Sequence, residues 1–69
     1  MFNKSEFKAQ VARSEKTYKE IAENLGIDES TLWRKIQNDG SFTRKEINKL
    51  IIILNIESPE TIFFAEELA

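Results

Sequence analysis

The stretch Thr17–Ile36, TYKEIAENLGIDESTLWRKI, limits the possible folds more than any other part of the chain. Thr17 with Glu20 three residues on forms a capping box, the arrangement that starts a helix by satisfying its first amides. Ile21 and Leu25 follow at a spacing of four, so they share one helical face. Gly26 can take the left-handed conformation that ends a helix at little steric cost. Asp28 is then placed to cap a second helix, with Ile27 and Leu32 at the staple positions on either side of it. Ile36 continues that helix's inner row one turn beyond Leu32. The spacing predicts helices over about 18–25 and 29–37, joined by a turn at Gly26. Ala22 is small where the two helices must meet. With Ile21, Leu25, Leu32 and Ile36 turned inward, Glu29, Ser30, Trp33, Arg34 and Gln37 face out from the second helix.

The flanking sequence repeats the same helix-start grammar. Asn3-Lys4-Ser5-Glu6 reads as a capping box, and Phe2 with Phe7 fits a hydrophobic staple. Phe7 and Val11 give the first helix, about 4–14, its inward row. Asn38-Asp39-Gly40 is a turn. Thr43-Arg44-Lys45-Glu46 is a further box, preceded by Phe42, which can staple to Ile47. The helix after it, about 44–54, presents Ile47, Leu50, Ile51 and Leu54 inward. Three isoleucines at 51–53 also suit a buried strand, but the box ahead of them and the absence of a partner strand favour the helix. Asn55 is a plausible left-handed stop, with Ile56 folding back. Ser58-Pro59 opens a last helix, about 59–67, proline being favoured in a first turn. Its apolar content is Ile62, Phe63, Phe64 and Leu68. The expectation is one all-α domain of five helices over 1–69.

Composition removes several kinds of chemistry. The chain has no cysteine and no histidine, so it lacks disulfides, thiolate metal sites, the commonest general base and the commonest zinc ligand. Sixty-nine residues of helix leave little room for a catalytic cleft, and an enzyme is not expected. No cofactor or small-molecule substrate is expected either. The longest apolar run is Leu50–Leu54, far short of the roughly 20 residues that span a bilayer. No membrane association is expected; the N-terminus carries charges from Lys4 on and lacks a signal-peptide apolar stretch, so a soluble cytoplasmic protein is the expectation. Net charge is −2, but all ten Lys and Arg lie in residues 1–49, against eight acids. The remaining four acids lie in 50–69, which makes that part a poor surface for phosphate.

Two helices joined at a glycine turn, with polar residues facing out from the second, form the layout of a helix-turn-helix. Counted from Tyr18, the apolar residues Ile21, Leu25, Ile27 and Leu32 fall where such a motif needs its core. This order resembles the phage repressor and Cro family, the XRE-type helix-turn-helix proteins. The likeness runs on through Phe42, Glu46, Ile47 and Leu54 to Ile62-Phe63-Phe64. It is similar to small single-domain members from phages and prophages of Gram-positive bacteria. The resemblance implies a five-helix lambda-repressor-like DNA-binding domain acting in the cytoplasm of a host bacterial cell. Its helix at 29–37 would lie in the major groove of operator DNA. Ser30 and Thr31 would meet bases or phosphates, Arg34 a guanine, and Gln37 an adenine or a phosphate. Tyr18 and Lys19 would meet the backbone, with Lys35, Arg44 and Lys45 adding phosphate contacts.

Three residues depart from that pattern or strain it. Glu29 could accept from cytosine N4, yet it repels phosphate and equally suits the helix dipole. Lys35 stands where the family pattern usually has an apolar residue. Trp33 is a large apolar group on the face meant for DNA; it could touch a thymine methyl, pack at the domain edge or anchor a protein partner. Simpler roles compete elsewhere: solvated charges for Arg34 and Lys35, helix starting for Ser30 and Thr31, ring packing on the first helix for Tyr18. Ile52, Ile53, Phe63 and Phe64 are candidates for a homodimer surface, the alternative being that the last helix merely closes the core. The leading expectation is a DNA-binding transcriptional regulator of Cro or repressor type. The alternative is a phage modulator or anti-repressor that binds a cognate repressor protein through the same helix face. An antitoxin would share the fold but usually needs a toxin-binding extension.

Overall fold

The computed structural model describes residues 2–64. It is all-helical: α1 (Lys4–Ser14), α2 (Tyr18–Leu25), α3 (Glu29–Gln37), α4 (Arg44–Ile53) and α5 (Glu60–Phe63). No β-strand occurs among the described residues, so the isoleucine run at 51–53 is helical, as its capping box predicts. α2 packs on both α3 and α4, and α1 packs on α5.

Local signals place most of the helix ends. Thr17 and Thr43 both form complete capping boxes, with Glu20 and Glu46 returning the bond to the cap amide. Gly26 has φ +74°; its N–H reaches Glu23 O and that of Ile27 reaches Ala22 O, the paired bonds of a Schellman ending. Asn55 (φ +51°) ends α4 in the same way, with its own N–H on Ile52 O and that of Ile56 on Ile51 O. Ile56 folds back and is buried.

Other ends differ from expectation. Asn3 accepts from the Glu6 amide at 3.0 Å, but the reciprocal half of its box is missing. The Asn3 N–H instead donates to Ile62 O at 2.7 Å, and the Glu6 carboxylate is held by Arg13 at 2.9 Å. The tertiary bond to α5 has displaced the local one. Asp28 occupies the cap position of α3 without a side-chain cap bond, while Ile27 before it packs half-buried against the core that contains Leu32. α4 stops at Ile53, one residue short of the expected end, because Leu54 is already its cap. α5 is much shorter than 59–67. Phe64 (φ −131°, ψ +39°) has left the helix, and the rest of that predicted helix, with Leu68, lies outside the described residues.

The core joins the inward rows of all five helices: Phe7, Val11, Ile21, Ala22, Leu25, Leu32, Ile36, Leu50, Leu54, Ile62 and Phe63 are buried. Each large side chain contributes about 1.5–3 kcal/mol by leaving water. Ile47 and Ile51 pack against this core half-buried. Phe2, Phe7, Phe42 and Phe63 form an aromatic cluster with centroid separations of 5.4–6.3 Å. Phe2 and Phe7 are the expected staple. Phe63 is 7% exposed, which removes it from the candidate dimer surface; its ring packs on both Phe2 and Phe42. Ile53 is half-buried and also leans on the core. Gly40 has φ +66°, and a Cβ there would collide with the Phe2 ring. Glycine is required at that turn for both reasons.

Candidate functional site

The buried residues of α3 determine what its other side can present. Leu32 and Ile36 are fully buried and lock the helix's rotation. Glu29, Ser30, Arg34 and Gln37 are consequently exposed, while Thr31 and Trp33 are half-buried at the edges. Arg34 Nη2 donates to Thr31 Oγ1 at 3.2 Å, which orients the guanidinium along the exposed surface. Of the five residues expected to face out, Glu29, Ser30, Arg34 and Gln37 are exposed, while Trp33 is half-buried and packs against the core.

The aromatic residues join α2 to this face. Tyr18 and Trp33 lie with ring centroids 4.3 Å apart and planes tilted by 31°. Tyr18 thus packs on α3's tryptophan, and burial raises its hydroxyl pKa. It stays a neutral hydrogen-bonding group at physiological pH. Lys19 is exposed beside it at the start of α2.

Two residues that sequence reasoning missed also reach this surface. Lys4 Nζ donates to Gln37 Oε1 at 2.9 Å, and Lys8 Nζ sits 5.8 Å from the Trp33 ring centroid, within cation–π range. Both come from α1. The signal for them was their spacing of four, which puts both lysines on one side of that helix. Their target could not be read, because it depends on how α1 packs across the domain.

Lys35 behaves differently from its neighbour Arg34. Its ammonium bonds Glu46 Oε1 at 3.2 Å and Ser41 O at 3.3 Å. The side chains of Lys35 and Glu46 are 21% and 15% exposed. Lys35 therefore bridges α3 to the capping box of α4, filling with an ion pair the position expected to be apolar. Burial pushes the Glu46 pKa up, but the Thr43 amide, the Lys35 hydrogen bond and charge, and the Thr43 hydroxyl outweigh it and leave the carboxyl below its ordinary value. Glu20 is lowered chiefly by hydrogen bonds from the Thr17 amide and hydroxyl. Arg44 and Lys45 are exposed in the first turn of α4.

Elsewhere, Ile52 is 81% exposed and Phe64 42%. An open groove of about 770 Å³ lies between α1 and the α4–α5 connection, lined by Glu6, Arg13, Ile53, Ser58 and Thr61 among others. Arg13 there is bonded to Glu6 and Gln10. Among the described residues there is no acidic group of three or more that could hold a metal ion, and no helix is long and apolar enough to cross a membrane. Comparison with family models, with curated proteins and with solved structures returns no match to this chain.

Proposed function

We propose that this chain is a DNA-binding transcriptional regulator of Cro or repressor type. In this reading α2 and α3 form a helix-turn-helix within a lambda-repressor-like domain, and α3 enters the major groove of an operator. The observation that carries it is the outer face of α3. Ser30, Arg34 and Gln37 stand exposed on a helix whose rotation is fixed by fully buried Leu32 and Ile36, with Lys4 and Lys8 drawn alongside. Arg34 is the candidate for bidentate recognition of guanine through O6 and N7. Tyr18, Lys19, Arg44 and Lys45 supply backbone contacts that set position and salt dependence. Lys35 contributes less than its charge suggests, since Glu46 neutralises it locally.

Selection of duplexes from a random pool, followed by a gel shift at fixed salt, tests this reading. Arg34→Ala should weaken binding of the selected site by about 1–3 kcal/mol and relax preference at one base position. Unchanged affinity would remove Arg34 from the reading role.

Exposed Glu29 in the first turn of α3 favours a second reading, a modulator or anti-repressor that binds a cognate repressor protein. A carboxylate there opposes phosphate, and the chain's net charge of −2 points the same way. In that case Trp33→Ala should abolish pull-down of the repressor with the helical circular dichroism intact, and retained binding would count against Trp33 as the anchor.

A further inference from the structure

Lys4 and Gln37 are thirty-three residues apart, yet their side chains are joined by a 2.9 Å hydrogen bond at the exposed edge of α3. The chemistry of that bond determines what the pair can recognise. An ammonium has three donors and no acceptor, while a carboxamide has one acceptor oxygen and two N–H donors. In the observed geometry the lysine donates to Gln37 Oε1, taking one of the two acceptor positions of the amide oxygen. Two N–H groups on Nζ and two on Nε2 then remain, so the pair presents donors and a positive charge. Such a surface suits a ligand rich in acceptors and negatively charged. It suits the adenine edge less well, since the N6 donor would share the glutamine oxygen with the Lys4 ammonium, whose charge and remaining N–H groups have no partner on that edge. Lys8, one turn further along α1, holds its ammonium over Trp33 and adds positive potential beside the pair.

We propose that Lys4 and Gln37 together bind a phosphodiester oxygen of the nucleic-acid backbone, Lys4 also serving as a positioning residue that fixes the Gln37 amide as a donor. This rests on the DNA-binding reading and sharpens it: Gln37 grips the backbone and does not read adenine, and α1 becomes part of the interface. Arg34 is left as the main base-reading candidate.

The test uses the full chain, Lys4→Met and Gln37→Ala, with selected and scrambled duplexes across a series of salt concentrations. Both substituted positions are exposed, and circular dichroism checks that the fold is kept. Lys4→Met should weaken binding to all sequences alike and lower the slope of log affinity against log salt by about one. Gln37→Ala should also weaken binding without changing base preference. If Gln37→Ala abolishes preference at a single adenine, or Lys4→Met leaves the salt slope unchanged, the proposal is overturned while DNA binding stands. If the wild-type chain binds no duplex even at low salt, the DNA reading falls, and an NMR titration with inorganic phosphate decides the pair. A shift of the Gln37 Nε2 resonances that is lost in Lys4→Met would keep the anion site; no shift would remove it.

Discussion

The two sides of α3 are built from the same nine residues but follow different rules. On the inner side, Leu32 and Ile36 are fully buried, and the half-buried Lys35 is held by Glu46. On the outer side, Arg34 and Gln37 are exposed and bond only lightly to Thr31 and Lys4. Arg34 and Lys35 are adjacent cations with opposite surroundings. One is set by a carboxylate from the next helix and serves the fold. The other points along an open surface and suits a partner. Positive charge by itself therefore says little about function; what lies within 4 Å of it decides.

Leu32→Ala should break the inner side most severely. The residue is fully buried, and truncation of such a leucine costs about 2–5 kcal/mol. Urea unfolding monitored by circular dichroism would measure it. A loss below about 1 kcal/mol would mean that α3 is not locked in rotation, and the definition of its outer face would fail with it.

Glu46→Gln has a smaller effect with a distinctive pH signature. A carboxyl whose folded pKa is depressed contributes stability above its unfolded pKa and loses it as pH falls through the folded value. For Glu46 that contribution is present above the ordinary value of 4.5 and fades at lower pH. At neutral pH the substitution should cost about 1 kcal/mol, the upper end for a single partly exposed pair. The fall in the urea midpoint between pH 7 and pH 3 should be shallower in the variant than in the wild type. Parallel pH profiles would show that Lys35 and Glu46 do not act as a pair.

Arg34→Ala should do least to the fold, changing stability by no more than about 0.5 kcal/mol, as expected for an exposed side chain outside any buried network. A larger loss would place Arg34 among the structural cations with Lys35 and erase the contrast between the two sides.

The part of this contrast that was legible in the sequence is the part set within one helical turn. Spacing placed Leu32 and Ile36 inside and Ser30, Arg34 and Gln37 outside, and capping boxes at Thr17 and Thr43 fixed two helix starts. What escaped depends on tertiary approach. The Lys35–Glu46 bridge crosses the turn at Asn38–Gly40, and the Lys4–Gln37 bond joins α1 to the far end of α3. The Asn3 amide was expected to serve its own cap, but Ile62 O takes it. Adjacent Phe63 and Phe64 read alike in sequence, yet α5 ends between them, and it is Phe63 that packs on Phe2 and Phe42. Local patterns give the orientation of a helix, and packing decides which of its exposed groups have company.

The most direct test of the outer face needs no known operator, since a DNA-binding protein of the proposed kind would bind any duplex weakly at low salt through phosphate contacts. A two-dimensional NMR titration of the isotope-labelled chain with a random-sequence duplex would map the contact surface. The proposed reading predicts the largest shifts at Lys4, Lys19, Ser30, Arg34 and Gln37, with Ile52 and the Ser58–Phe64 segment unmoved. Shifts centred on Ile52 and Phe64, or none along α3, would contradict it.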